Sequence, residues 1–267
     1  ILLLGLLPHA SADYIHWVDF RLSAPVLRSA LELDMASQGG EQPLDWIDIL
    51  ALAAAWRGGT GVTVADTQRA AQALRGDTPP ERLPGMAGRF FSYYRAAYGA
   101  ALGGLVGHFA IRRTDPQTDE AEWIPAYGLK AFSPIAAGYP WSHCPDFGAQ
   151  RSYGYARPHL GNDILGALGT PICAVEGGTV EALGWNRYGG WRIGIRSDDR
   201  KRYYYYAHLR KDTPYAEGLA VGQRVQAGDV IGFMGRTGYS AQENVNNIET
   251  VHLHFGLQLI FDESQKE

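Results

Sequence analysis

TVHLHFGLQL, residues 250–259, sets two imidazoles one residue apart, His252 and His254, in a run that otherwise alternates apolar with small or polar residues. In an extended chain successive side chains point to opposite faces. Val251, Leu253, Phe255, Leu257 and Leu259 then share one face, and His252, His254, Gly256 and Gln258 the other. Same-face neighbours stand roughly 6 to 7 Å apart, so one imidazole can hold a metal ion while the other reaches a bound water or a substrate. A histidine pair on a solvent-facing strand is often surface decoration, so the chemistry depends on partners elsewhere. RPHLGNDIL supplies His159 and Asp163 around Gly161, and YYYYAHL supplies His208. The other four histidines, His9, His16, His108 and His143, lack such neighbours and read as structural or surface residues.

Geometry limits how His159 and Asp163 could cooperate. Fully extended, HLGND would hold their Cα atoms about 13 Å apart at ~3.3 Å per residue, too far to share one ion. A bend must bring them together, and Gly161-Asn162 is where it costs least.

The elements that must position these residues follow from hydrophobic period. After residue 150 the period is two: GGTVEALGW, WRIGIRS and RYYYYAHL, separated by NRYGG and DDRK, read as a three-stranded antiparallel meander. VGQRVQAGDVIGFMG and TVHLHFGLQLIF add short strands, and 33 glycines supply turns. Residues 151–267 are therefore expected to form an all-β antiparallel sandwich or barrel. Before residue 110 the period is three to four. DWIDILALAAAW (45–56), DTQRAAQALRG (66–76) and GRFFSYYRAAYGAALGGLVG (88–107) predict helices, with Asp45 and Asp66 as N-caps. A helical domain over 13–110 thus precedes the β half, giving an α+β multidomain chain. Residues 111–150, Pro-punctuated and aromatic, predict a connector that wraps the surface.

Composition excludes several roles. A net charge of -4 without any Lys/Arg-rich run argues against nucleic-acid binding. Cys144 and Cys173 are too few for a disulfide framework. Residues 1–12, apolar ILLLGLL followed by Ala10-Ser11-Ala12, read as the remnant of a signal peptide or of a membrane anchor, and either puts the rest outside the cytoplasm. A lipoyl-type carrier is suggested by the style of VGQRVQAGDVIGFM but needs a lysine at the hairpin tip, where Met234-Gly235-Arg236 stands.

In order along the chain, His159-Leu160-Gly161-Asn162-Asp163, Tyr206-Ala207-His208-Leu209 and His252-Leu253-His254-Phe255 resemble the H-x-G-x-D, x-x-H-L and H-x-H motifs of the lysostaphin-type zinc endopeptidases. The resemblance covers about residues 150–260. It implies that His159, Asp163 and His254 bind Zn²⁺, that His208 and His252 act as catalytic groups, and that the substrate is a peptide of bacterial cell-wall peptidoglycan. It further implies a hydrolase of the cell envelope, secreted or membrane-anchored. Tyr153 is placed like an oxyanion-assisting tyrosine of similar enzymes. If the strand through residues 203–208 is regular, Tyr204 and Tyr206 share a face with His208 and would wall a substrate groove, core packing being the alternative. A second functional class is an envelope scaffold or binding protein that kept the fold with its catalysis restrained.

Overall fold

The computed structural model describes residues 20–114, 117–118 and 120–260. Residues 1–12, His9 and His16 lie outside the described residues, as do residues 13–19 and 261–267 of the expected domains.

Four α-helices come first: α1 Ala24–Ser37, α2 Trp46–Arg57, α3 Val64–Leu74 and α4 Met86–Leu102. Asp45 caps α2 by accepting from the Ile47 amide. At α3 the expectation needs correcting. Thr63 is the N-cap, and Asp66 sits at the third helical position, where it completes a capping box. The β-branched Thr63 takes an extended conformation readily, while Asp66 also pairs with Arg57. Helix α2 is buried nearly all round, with Ile49, Leu50 and the run Ala51–Ala55 enclosed, and Phe91, Ala97 and Tyr98 of α4 pack on it.

Thirteen strands follow among the described residues. The first two, β1 Val106–Thr114 and β2 Ala121–Leu129, pair antiparallel along their whole length where the sequence predicts an irregular connector. Most of this hairpin is exposed, so no apolar alternation marks it, and Pro125 at mid-strand is tolerated because β2 is an edge strand with a partner on one side only. The hairpin is tied to α1 by Tyr127, whose hydroxyl donates to Asp34 Oδ1 (2.8 Å), while Asp34 Oδ2 accepts from the amide that opens α2, Trp46 N–H (2.9 Å).

The remaining strands are β3 Trp141–Cys144, β4 Gln150–Arg151, β5 Arg157–Pro158, β6 Asn162–Gly166, β7 Pro171–Cys173, β8 Gly178–Asn186, β9 Gly190–Ser197, β10 Arg202–Ala207, β11 Arg224–Val225, β12 Val230–Phe233 and β13 His252–Leu259. Seven form one antiparallel sheet in the order β11-β8-β9-β10-β13-β6-β3. The expected meander β8-β9-β10 is its centre. The sheet does not close: β11 and β3 remain separate edges, so a barrel does not form. The β7–β12 ladder contributes Ile172 and Ile231 to the core that Val180, Ile193, Ile195, Tyr204 and Tyr206 build on the large sheet. Strand β3, from the expected connector, is an edge strand of the sheet, with Cys144 opposite Asp163.

Candidate active site

Strand β13 carries both histidines of the opening motif. It lies between β10 and β6, with His254 opposite Ala207 on one side and Asp163 on the other. Leu253 is fully buried in the core, which commits the opposite face, and hence His252 and His254, to the outer side of the sheet. The chain bends at Gly161 as it enters β6 and brings His159 back toward Asp163. Nε2 of His159 lies 3.2 Å from Asp163 Oδ1 and 2.7 Å from Nδ1 of His254, and that Nδ1 lies 3.1 Å from the same carboxylate oxygen. Gly161 is required by contact: a Cβ there would stand 2.6 Å from the His254 ring and 3.0 Å from the Phe255 carbonyl.

Second contacts fix the direction of each ring. The Nδ1 of His159 lies 3.3 Å from the Asp146 carbonyl oxygen, 3.2 Å from Asp146 Oδ1 and 3.3 Å from Arg151 Nη2; in the tautomer that donates from Nδ1 to the Asp146 carbonyl, the Nε2 lone pair points inward. Arg151 pairs with Asp146 and donates to Asp163 Oδ2 (3.1 Å), which turns Oδ1 toward the histidines. His208 and His252 meet carbonyl oxygens in the same way, of Thr237 (2.9 Å) and Thr250 (2.9 Å), so each neutral ring keeps its Nε2 as acceptor. Their rings are 4.7 Å apart, and His252 Nε2 is 3.7 Å from Asp163 Oδ1.

Electrostatics separate the groups. Burial would raise the Asp163 carboxyl, but the hydrogen bond with His254 and the charges of His252, His254 and His159 outweigh it and hold the group well below the usual carboxylate range. Burial, reinforced by His252 and His254, pushes His208 well below the ordinary imidazole value, so that it is neutral at pH 7.

The tyrosine expectations need correction. Tyr204 and Tyr206 are both 0 % exposed and belong to the core, with Tyr204 donating to Glu176 (2.6 Å) and Tyr206 accepting from the Val175 amide (2.9 Å). They do not line the cleft. The parity count fails because β10 ends at Ala207 and His208 has φ +62°, a left-handed conformation that turns its side chain out of the strand's alternation. Of the four tyrosines of β10 the one that lines the cleft is Tyr205, 5.9 Å from the His254 ring and accepting from Asn186 Nδ2 (2.9 Å). Tyr153 stands half-buried just outside, stacked on Tyr239 at 4.6 Å. His108 packs against Tyr127 on the hairpin, and His143 meets Asn162, both away from the cluster.

Sequence reasoning also missed Asp146, Arg151 and Thr237. Thr237 is fully buried, accepts from the Trp191 amide (3.2 Å) and donates to the Leu209 carbonyl (2.6 Å), so it pins the turn on which His208 sits. No spacing announces such a residue, since its partners come from distant turns. Arg151 was visible only as a charge eight residues before His159.

The cleft over these groups, about 220 Å³, is lined by the five residues and by Arg151, Arg157, Tyr188, Tyr205 and Tyr239 among others. Two buried-ring acceptors, three converging donor atoms and an open mouth form an arrangement that can hold a cation and move a proton beside it.

Comparison with known proteins finds relatives for the segment that carries this site. Residues 157–265 match Peptidase family M23. The chain is 40 % identical over 130 residues to the L-Ala--D-Glu endopeptidase of Bacillus subtilis, a match covering 49 % of this chain and 38 % of that protein. It is 38 % identical over 98 residues to glycyl-glycine endopeptidase ALE-1 of Staphylococcus capitis, covering 36 % of this chain and 24 % of the relative. Among solved structures, the catalytic domain of the antimicrobial peptidase lysostaphin from Staphylococcus simulans is similar over 47 % of this chain and 86 % of that domain, at 30 % identity and a TM-score of 0.35. The chain thus spans well under half the length of these two curated relatives. The matched residues 157–265, which contain His159, Asp163, His208, His252 and His254, are thus similar to Peptidase family M23, and the likeness is confined to that segment.

Proposed function

We propose that this protein is a zinc-dependent endopeptidase that hydrolyses peptide bonds in bacterial cell-wall peptidoglycan, acting in the cell envelope outside the cytoplasm. The observation that carries the reading is the convergence of His159 Nε2, Asp163 Oδ1 and His254 Nδ1, three atoms within 4.8 Å of one another. Ligand bonds of about 2.0–2.1 Å at tetrahedral angles make ligand–ligand edges of about 3.3 Å. The separations of 2.7, 3.1 and 3.2 Å fit that figure after a slight spreading of the two imidazoles. Two nitrogens and one carboxylate oxygen form a donor set suited to zinc, and the open cleft leaves room for a fourth ligand. A zinc ion held there would supply Lewis acidity, polarising a scissile carbonyl and making water nucleophilic near neutral pH.

The chain's own residues supply the rest. Asp163, ionised across the physiological range, brings the negative charge that favours a divalent cation. His208, neutral through burial, takes a proton at Nε2 while its Nδ1–H stays with the Thr237 carbonyl. His252 is the second proton-handling group, oriented by Thr250, and serves the developing oxyanion or the leaving amine. Among the described residues nothing from 111–150 lines this cleft, so the expected connector does not cap it, which favours an active enzyme over a restrained scaffold. No described helix is long and apolar enough to cross a membrane.

The test is digestion of purified cell walls of several cross-link types with zinc-loaded and chelator-treated protein, with new termini identified by mass spectrometry. Hydrolysis that zinc restores after chelation is the expected result. A protein that takes up about one zinc and releases no new termini from any wall would leave the scaffold reading in its place.

A further inference from the structure

Two curated relatives of this chain act, by their names, on chemically different bonds: one beside an acidic residue, the other within uncharged glycine. One side chain in this cleft bears on that choice. Arg157 in β5 lies directly opposite Arg151 in the β4–β5 ladder, and both line the cleft over the histidines. Two like charges facing each other across a ladder are destabilising unless each is compensated. Arg151 is compensated by Asp146 and Asp163. Arg157 meets no carboxylate among the described residues.

Its hydrogen bonds go to two backbone carbonyls, those of Tyr153 (2.6 Å) and Tyr155 (3.5 Å), and both are made by Nη1. The guanidinium is held between two aromatic faces, 4.6 Å from the Tyr188 centroid and 5.4 Å from that of Tyr155. Arg187 stacks on the Tyr188 ring as well, at 5.1 Å, and it too meets no described carboxylate. So Arg157 is oriented by three neighbours, half-buried, and left with Nε–H and one Nη2 edge unpaired. That edge is the fork that matches a carboxylate with two parallel hydrogen bonds. Because its orientation is already set, little side-chain freedom is lost when the fork is filled.

We propose that Arg157 is a specificity-determining residue that reads a free carboxylate on the substrate, so that the preferred substrate is an acidic stem peptide and not an uncharged glycine bridge. This rests on the peptidoglycan-peptidase reading and names the substrate class within it. A glycine bridge offers no anion to the fork. A stem peptide with a free carboxylate near the scissile bond does.

The test changes the substrate first, so that no variant needs to fold. Two synthetic stem peptides are compared, one with the free carboxylate of its acidic residue and one with that group as the carboxamide, alongside pentaglycine. Wild-type protein should show a kcat/KM about 10- to 100-fold higher for the carboxylate form, the scale of a charge-assisted bidentate contact. In Arg157→Gln the ratio should fall close to one, and Arg157→Lys should recover part of it, since a lysine keeps charge without the fork. Binding of the same peptides to chelator-treated, uncleaving protein is measured by calorimetry in parallel. A wild-type ratio near one in both kinetics and binding, or a ratio unchanged in a folded Arg157→Gln, would overturn the proposal while leaving the hydrolase reading intact. Arg157-dependent binding of the acidic peptide with no cleavage of any substrate would uphold the proposal and overturn the hydrolase reading.

Discussion

His252 and His254 sit two residues apart on one strand face, yet their surroundings differ enough to predict different mutant behaviour. His254 contributes Nδ1 to the converging set, so His254→Ala should lose bound zinc and activity together. His252 stands 3.7 Å from Asp163 with its Nδ1–H held by Thr250, so His252→Ala should keep most of its zinc and lose about 10²-fold or more in rate. Metal analysis beside single-substrate kinetics separates the two, and wild-type hydrolysis by His252→Ala would remove that residue from the mechanism. Gly161→Ala would push a methyl into the His254 ring and should weaken zinc binding by about 10- to 100-fold, the scale seen when a ligand loses its outer support. Chelator competition measures this, and an unchanged affinity would mean the ring yields freely.

His208 gives a residue-scale prediction about pH. Its folded-state pKa is depressed, chiefly by burial, below the unfolded value of about 6.5. Below that value the unfolded chain binds a proton that the folded ring refuses, so stability falls as pH drops from about 6.5 toward the folded pKa. Asp163, also depressed, loses its contribution in a separate window beneath about pH 4. The urea midpoint of chelator-treated protein should therefore drop between pH 7 and pH 5. His208→Asn should flatten that drop, since asparagine tolerates the left-handed backbone and does not titrate. Equal slopes in both proteins would show that another group titrates.

At the scale of elements, the site is made by three neighbouring strands and the two turns that feed them. β13 supplies His252 and His254, β6 supplies Asp163, and the left-handed turn after β10 supplies His208. β6 is flanked on its other side by β3, whose Cys144 pairs with Asp163. Removing residues before Arg151 strips β3 and leaves the Asp163 strand as a new edge with unpaired backbone groups. A chain starting near Arg151 should thus melt lower and hold zinc more weakly than one starting near Trp123, as thermal scans with metal titration would reveal. Equal values for the two would mean that β3 contributes nothing to the ligand strand.

For the whole molecule, one buried cation joins the helices to the sheet. Arg202 is 0 % exposed, donates twice to Glu176 (2.9 and 2.9 Å) and once to Asp199 (3.0 Å), and reaches the Ala100 carbonyl of α4 (3.0 Å). Glu176 in turn accepts from Tyr204, whose ring sits in the core beneath the site. Removing one member of a buried pair strands the other charge, at a cost of about 3–5 kcal/mol. Arg202→Ala should lower unfolding stability by that order, whereas Arg224→Ala, an exposed pair with Asp198, should change it little. Denaturant titration of both variants compares them, and a small effect at Arg202 would show that water reaches Glu176 once the guanidinium is gone.

Period and motif spacing are enough to read α2, α3 and α4, the β8-β9-β10 meander and the five titratable residues, because each depends on local alternation or on residues a few positions apart; α1, Ala24–Ser37, is not among the helices so read. The need for a bend at Gly161 was likewise legible, since an extended HLGND cannot bring its ends together. The hairpin β1–β2 was not legible: a mostly exposed ladder carries no apolar signal, and Pro125 and two glycines break what pattern there is. Alternation carried through His208 puts Tyr204 and Tyr206 on the wrong surface, because the positive φ of His208 ends the alternation there. Asp146, Arg151, Thr237 and Tyr205 gained their places only from chain segments that meet after folding. The identities of the groups that could do chemistry are thus written locally, while the direction of each lone pair, the burial that keeps His208 neutral and the unpaired fork of Arg157 depend on contacts between distant residues, which no local period encodes.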